Sequence, residues 1–256
     1  VSSVKEAMED IHVSPNEVAQ KIIMDPPIAA KVLSVANSAA YGFSNQVDSV
    51  ELAVALLGLR ETYTIVLSAA VMNLFEATKS FNYKLYWEEA MNSAAACRLI
   101  AQSCGRGADK SIFTAGLLHD IGRIALLEID AGNYKKVDSK LSGSELIKAE
   151  QDVLGLAHTE AGYELAINWN LPKEIAEAIR FHHTPEFSEI APAHVNIVSL
   201  AETWTRKLAL NHVDKNELIR DSQAQLQHLM IDDSTASAVF DEVAQLDRVY
   251  FEWDGE

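Results

Sequence analysis

Histidine and aspartate side chains recur along the chain at positions that could hold a metal ion. His119 and Asp120 are adjacent in the segment GLLHDIGRIALL, His158 follows in GLAHTEAGYEL, and His182 and His183 close AIRFHH. Imidazole nitrogens and carboxylate oxygens are common ligands of catalytic divalent metals. Four histidines and one aspartate in this order therefore predict a site for iron, manganese, zinc or magnesium, with one or two ions bound.

The chemistry that such a site would support is hydrolysis of a phosphoester. Two metal ions about 3.5–4 Å apart, bridged by Asp120, would polarise the ester and activate water. The guanidinium of Arg123 could hold a phosphate oxygen in its planar fork. We therefore name Asp120 and Arg123 as candidate catalytic residues. The candidate metal ligands are His119, Asp120, His158, His182, His183 and Glu202.

The adjacency of His119 and Asp120 constrains the local backbone. Neighbouring residues on a helix point about a third of a turn apart, so both side chains reach one site only at a helix end or an irregular turn. Gly122, two residues later, permits such a turn. A histidine taken alone is more often a helix cap or a hydrogen-bonded core residue. That interpretation stands for His12, His194, His212 and His228.

Helical signals run through nearly the whole sequence. Ser14 and Glu17 are spaced as a capping box, with Pro15 at the first helical position. Ser49 is placed to cap the apolar segment VELAVALLGL, and Gly58 stands where that helix would end. Alternating runs of β-branched residues bounded by turns are not found. The sequence therefore predicts an all-α fold.

Two packed helical subdomains and an extension are expected along the chain. The first subdomain covers residues 1–82, the second covers residues 83–212, and a C-terminal helical extension covers residues 213–256. The polar stretch 80–83 marks the first boundary. Within the second subdomain, one helix over 111–129 is predicted to carry the His-Asp doublet.

Composition limits the class of partner and the compartment. The 21 basic and 37 acidic residues give a formal net charge of −16, which argues against a nucleic acid or an anionic membrane as the main partner. The most apolar region, 52–75, is interrupted by Arg60 and Glu61 and is expected to be buried helix rather than a membrane span. Cys97 and Cys104 make no disulfide framework, so a reducing cytoplasm is expected.

Three segments together resemble a known bacterial signalling module. DPPIAAKVLSVANSAAYG, SVELAVALLGL and the His-Asp stretch are similar to the HDOD domain, which is related to the HD superfamily of metal-dependent phosphohydrolases. The resemblance covers about 14–208, most of the chain. It implies an HD-like helical architecture and a regulatory or scaffolding role, commonly with an incomplete set of metal ligands. The parts specific to the HDOD branch are the Asp25-Pro26 helix start, Asn37-Ser38 and Leu57-Gly58.

The match to the superfamily's metal site is partial. The pattern implies a first histidine early in the helix that contains Trp87, but no histidine occurs over 87–97, and Glu89 is nearest by spacing. Glu202 stands where the larger phosphodiesterase-like members have aspartate. Arg123 stands where the cyclic-dinucleotide phosphodiesterase branch tends to have lysine. The glycine-tyrosine-proline signature of that branch is missing after His183, so that activity is not expected.

Two functions remain open on these residues. The first is a signal-transduction adaptor that binds a partner protein or a small phosphorylated or nucleotide ligand. The second is a metal-dependent phosphohydrolase acting on a nucleotide or another phosphoester. A purely structural helical protein would leave the ordered histidines unexplained.

Overall fold

The chain folds into α-helices connected by short turns. The computed structural model describes residues 14–24, 26–37, 41, 43, 47–75, 83–109, 111–138, 141–169, 171–210 and 214–246. Throughout these ranges the regular elements are α-helices and one short 3-10 helix, and none is a β-strand. This confirms the predicted all-α fold. No helix in the same ranges is long and apolar enough to cross a membrane.

The described residues group into two compact units, one up to Lys84 and the other from Leu85 onward. The three-part division at residues 82 and 212 stays a prediction about domains. The helices of the first unit are α1 (Pro15–Ile23), α2 (Pro26–Ala36), α3 (Val50–Leu57) and α4 (Leu59–Phe75). Its core is formed by small and β-branched apolar side chains from all four helices, among them Val18, Ile22, Val32, Val35, Val54, Leu57 and Ile65.

The helix starts predicted in the first unit are formed as hydrogen-bonded caps. The Glu17 side chain accepts from the Ser14 amide at 2.9 Å, and the Ser14 hydroxyl accepts from the Glu17 amide at 3.3 Å. The Ser49 hydroxyl accepts from the amide of Leu52. Gly58, with φ of 83°, ends α3 in a conformation that favours glycine. These contacts satisfy amide groups that a helix start leaves unpaired.

Asn37 follows the last residue of α2 and fixes the chain beyond it. Its side-chain amide donates to the carbonyl of Val47 at 2.7 Å, and its side-chain oxygen accepts from the Val47 amide at 2.8 Å. The motif residue Asn37 therefore joins the end of α2 to the segment before α3, within the first unit. Its neighbour Ser38 lies outside the described residues.

The second unit contains the remaining helices. α5 (Tyr83–Ser103) begins two residues before the boundary between the units. The elements that follow it are α6 (Ser111–Leu118), α7 (Ile121–Tyr134), α8 (Gly143–Leu154), α9 (His158–Asn168), α10 (Lys173–Phe181), the 3-10 helix Pro185–Phe187, α11 (Pro192–Ala209), α12 (Lys215–Asp221), α13 (Gln223–His228) and α14 (Asp233–Ala244).

The single helix predicted over 111–129 is wrong, because the chain breaks at the His-Asp doublet. α6 ends at Leu118 and α7 begins at Ile121, so both doublet residues lie in the turn between two helices. The prediction that Gly122 permits this turn is wrong, because Gly122 lies within α7. A Cβ on Gly122 would lie 1.9 Å from the carbonyl oxygen of His158, so this glycine instead allows α7 and α9 to approach closely.

Candidate metal centre

Residues from the ends of several helices converge in the second unit. His119 and Asp120 form the turn between α6 and α7, and His158 is the first residue of α9. His182 and His183 directly follow α10. Helix ends suit this task because the backbone changes direction there, so adjacent side chains can face one point. All these side chains are buried or nearly so.

Four of these residues form a compact ligand cluster. Asp120, His158, His182 and His183 each offer one ligand atom, and these atoms lie within 4.8 Å of one another. Asp120 Oδ1 is 3.3 Å from His158 Nε2 and 3.7 Å from His182 Nε2. We call these four residues the HD cluster. Its donor set of three imidazoles and a carboxylate suits zinc, iron and manganese.

The imidazole rings are oriented by hydrogen bonds at Nδ1. His119 Nδ1 donates to the Gly116 carbonyl at 2.7 Å, and His182 Nδ1 donates to the Ile179 carbonyl at 2.9 Å. A carbonyl can only accept, so each Nδ1 carries the proton. The Nε2 of a neutral ring then presents a lone pair, which is the form that binds metal.

His158 is oriented by a carboxylate that sequence reasoning missed. Glu150 on α8 is fully buried, and its Oε2 accepts from both the Nδ1 (2.6 Å) and the backbone amide (2.8 Å) of His158. Its Oε1 accepts from the Tyr134 hydroxyl at 3.3 Å. The available signal was spacing: Glu150 lies four residues after Leu146, on the buried face of an amphipathic helix.

Arg123 is already engaged within the protein. Its Nη1 donates to Asp120 Oδ2 at 3.1 Å, and its Nε donates to the Tyr134 hydroxyl at 3.2 Å. Burial alone would raise the pKa of Asp120, but His119 and Arg123 hold it well below its usual value. Asp120 therefore stays a carboxylate, with Oδ2 held by Arg123 and Oδ1 directed at the imidazoles.

Two histidines of the HD cluster, His182 and His183, resist protonation. Burial lowers the pKa of His182 well below its usual value, and the neighbouring His183 ring lowers it further. Burial, followed by the nearby His158, lowers the pKa of His183 to about 3. Both rings are therefore neutral near pH 7, as metal binding requires.

Glu202 and His119 lie beside the HD cluster rather than in it. Glu202 Oε2 is 3.4 Å from His183 Nδ1 and 4.0 Å from His182 Nε2, and its Oε1 is 3.9 Å from Arg206 Nη1. His119 Nε2 is 3.9 Å from Asp120 Oδ2. Their proposed role as ligands stays a prediction.

Glu89 on α5 lies near the site but is exposed to solvent. Desolvation by the surrounding protein raises the pKa of its carboxyl group, whereas the charges of Arg123 and His119 act in the opposite direction. This electrostatic coupling indicates that Glu89 faces the same region. It does not join the four ligand atoms of the HD cluster.

Two buried atoms of the HD cluster fit a metal ion. Asp120 Oδ1 and His183 Nε2 are buried with no hydrogen-bond partner among the described residues. The Nε2 atoms of His158 and His182 also lie 3.5 Å apart, and this contact needs either a proton on one ring or a metal ion between the two nitrogens. Buried polar atoms are rarely left unsatisfied, so these residues fit a bound cation.

Comparison with known proteins gives a family match and similar folds. The model of the HDOD domain family matches residues 1–185. An uncharacterized protein of Treponema pallidum (strain Nichols) is 25% identical over 219 residues, 80% of this chain and 40% of that protein. The chain thus spans less than half the length of that relative.

Two solved structures share the helical fold over nearly the whole chain. A "Putative phosphohydrolase" from Shewanella amazonensis SB2B has a TM-score of 0.74 at 21% identity, covering 96% of this chain and 88% of its own. A "Putative signal transduction protein" from Marinobacter aquaeolei VT8 has a TM-score of 0.70 at 21% identity, covering 95% and 56%. At these identities the likeness shows the fold.

Proposed function

This chain belongs to the HDOD domain family, and we propose that it is a regulatory signal-transduction module that holds one divalent metal ion in its HD cluster. The observation that carries this proposal is the convergence of an unpartnered carboxylate oxygen with three buried imidazoles. Ion binding would fix the helix ends that meet there. The output would be binding of a partner protein or of a small phosphorylated ligand.

The contacts of Asp120 favour one ion over two. A carboxylate bridging two ions through both oxygens would need Oδ2 as well as Oδ1, but Oδ2 accepts a charged hydrogen bond from Arg123. Burial opposes the charge of Arg123, yet Asp120 raises the pKa of Arg123 well above its usual value, so Arg123 stays charged beside Asp120. A second ion would also lack the superfamily's first histidine, since the nearest residue by spacing is the exposed Glu89.

Phosphoester hydrolysis is the second candidate function, and the number of metal ligands in the HD cluster favours it. Three imidazoles and one carboxylate oxygen make four ligands, which leaves positions open on an ion that prefers six. A bound ion would polarise a phosphoester and activate water. Glu89 and Arg206, near the site, would then face the substrate. Arg206 donates to the Leu141 carbonyl and lies 3.9 Å from Glu202, so it would have to leave these groups to reach a phosphate oxygen.

One experiment separates the two functions. Protein purified without chelator or affinity tag is analysed for bound metal by mass spectrometry, and the same sample is assayed with bis(4-nitrophenyl) phosphate and a panel of nucleotides. Bound metal without turnover supports the regulatory module. Turnover that is lost in His158→Ala supports the hydrolase. Absence of metal after loading with iron, manganese, zinc or magnesium contradicts both.

A further inference from the structure

A series of hydrogen bonds in the second unit starts and ends in the HD cluster. Arg123 Nη1 donates to Asp120 Oδ2 at 3.1 Å, and Arg123 Nε donates to the Tyr134 hydroxyl at 3.2 Å. That hydroxyl donates to Glu150 Oε1 at 3.3 Å, and Glu150 Oε2 accepts from His158 Nδ1 at 2.6 Å. We call these five residues the Tyr134 network. Its two end residues, Asp120 and His158, are both members of the HD cluster.

The Tyr134 network is shielded from water. Glu150 and His158 are fully buried, and Asp120 and Tyr134 are buried as well. The side chain of Arg123 is 16% exposed. Water therefore competes little for these hydrogen bonds, and a buried polar group that loses its partner is costly. The side chains of the network are thus strongly held to one arrangement.

The donors and acceptors of the network fit together in one way. A guanidinium can only donate, so the Tyr134 hydroxyl accepts from Arg123. Its own proton therefore points to Glu150, whose two oxygens both act as acceptors. Burial raises the pKa of Tyr134 to about 12, so the hydroxyl keeps this proton near pH 7. A single oxygen atom of Tyr134 thus serves both neighbours at once.

Tyr134 joins two pairs of residues that are each local in the sequence. Arg123 and Asp120 are three residues apart, and Glu150 and His158 are eight residues apart across the turn between α8 and α9. The Tyr134 hydroxyl bonds to one member of each pair. A change at this hydroxyl therefore reaches Asp120 through Arg123 and reaches His158 through Glu150.

A break in α7 brings the Tyr134 hydroxyl within reach of Arg123. In a straight helix, residues 11 apart in the sequence are separated by about 16 Å along the axis, which is more than these two side chains bridge when extended. Asp130 has non-helical backbone angles (φ −157°, ψ 79°) inside α7. Its carboxylate accepts from the backbone amide and the side-chain amide of Asn133. These contacts hold the last turn of α7 in the position from which Tyr134 meets Arg123.

We infer that Tyr134 is a positioning residue of the HD cluster, which holds Asp120 and His158 in the arrangement that a cation requires. It touches neither ligand and acts through Arg123 and Glu150. Asp120 Oδ1 and His158 Nε2 are held 3.3 Å apart, so a cation would bind without the cost of ordering them. The inference rests on the proposed function for the bound ion, but the coupling of the two ligands is a property of the folded chain and is measurable without metal.

The first test is Tyr134→Phe, which removes the hydroxyl and keeps the ring. Chelator competition with zinc should show a metal affinity lower by about 3- to 10-fold. Partners that bond directly to a metal ligand typically contribute about 10- to 100-fold, and Tyr134 acts one bond farther away. The visible absorption of cobalt(II)-loaded protein should also shift, since it depends on how the ligands are arranged around the ion. A loss of stability alone would leave that spectrum unchanged.

The second test uses metal-free protein. The Nδ1 proton of His158, assigned by its loss in His158→Ala, gives an NMR signal whose position depends on the hydrogen bond to Glu150. Tyr134→Phe should shift this signal, because Glu150 Oε1 loses its donor and the carboxylate then accepts more strongly from His158. Arg123→Lys keeps the charge but lacks the fork that reaches both Asp120 and Tyr134. It should shift the same signal, and it decides the question if Tyr134→Phe does not fold.

The matched control is Tyr163→Phe, which removes a hydroxyl from α9, the helix that begins at His158. The Tyr163 hydroxyl forms no hydrogen bond with a described residue, so this variant should match wild type in affinity, spectrum and NMR signal. Thermal melting shows which variants are folded.

The outcomes distinguish failure of the inference from failure of the proposed function. If wild type binds zinc and cobalt(II) but folded Tyr134→Phe matches the control in affinity and spectrum, the inference is overturned and the proposed function stands. If wild type binds no ion, the proposed function fails, and the NMR signal of His158 decides the inference. A shift of that signal supports the coupling through Tyr134, and an unshifted signal overturns it.

Discussion

Glu150 offers the sharpest test of how the HD cluster is held in place. Its carboxylate accepts two hydrogen bonds from His158 and is fully buried. Glu150→Gln keeps the shape and an acceptor oxygen for both His158 contacts, but it removes the negative charge and puts an amide NH2 group where Oε1 accepts from the Tyr134 hydroxyl. We expect the variant to fold and to bind metal more weakly. A neutral acceptor orients the His158 ring less firmly, and it makes the Nε2 of His158 a less basic metal ligand.

The size of this effect follows from the contacts. A hydrogen bond to a charged group contributes about 1.5–3 kcal/mol and a neutral one about 1 kcal/mol. Loss of the charge should therefore cost about 1 kcal/mol, a fall of about 5-fold in metal affinity. Glu150→Ala removes both bonds and leaves two buried N–H groups of His158 unpaired, so we expect a fall of about 10–100-fold.

The assay is competition between the protein and a chelator of known affinity, with zinc or manganese as the ion. Glu145→Gln is the matched control, because Glu145 is an exposed carboxylate in the first turn of the same helix. It should bind as wild type does. The reasoning is refuted if Glu150→Gln and Glu150→Ala are folded and bind the ion as tightly as the control.

Three further predictions concern packing, charge and pH. Gly122→Ala should destabilise the protein by about 2 kcal/mol or more in urea unfolding, because the new Cβ would clash with the backbone of α9. The control is Gly132→Ala on the same helix, which should cost much less because its Cβ would touch only the Asp130 side chain, at 3.4 Å. Arg123→Met should shift the onset of metal binding to higher pH in chelator competition, because Arg123 helps to lower the pKa of Asp120; an unshifted profile would contradict this. Metal-free protein should lose about 2 kcal/mol of unfolding free energy between pH 7 and pH 5 through His183 alone. The pKa of His183 is about 3 in the folded state and higher in the unfolded chain, so the unfolded state takes up the proton as the pH falls. Equal stability at both pH values would contradict this prediction.

Local signals in the sequence were sufficient to predict the all-α fold and two helix starts of the first unit, but not the helix break at the His-Asp doublet. The capping box at Ser14 and the cap at Ser49 involve residues three apart, so the pattern alone carries them. The order of the histidines was also sufficient to nominate every member of the HD cluster, although Asp120 was predicted to lie within a single helix over 111–129 rather than in a turn.

Other features depend on contacts between distant segments. Glu150 matters because it lies opposite His158, eight residues away across a turn. Its position four residues after Leu146 indicates a buried face, but the helix alone does not indicate which residue Glu150 contacts. Gly122 was predicted to permit a turn, but it allows a close approach to the backbone of His158, which belongs to another helix and is not evident from the local sequence. The hydrogen bond from Arg123 to the Tyr134 hydroxyl likewise could not be predicted from the sequence.

The most direct test of the central claim is the metal content of untagged protein purified without chelator, for wild type and for Asp120→Ala. Asp120 supplies the one carboxylate oxygen of the HD cluster, so its loss should abolish tight binding. We predict close to one ion of iron, manganese or zinc per wild-type chain, and little or none in the variant when both proteins are folded. Two ions per chain, or a wild-type protein that stays free of metal after loading with each ion, would contradict the account.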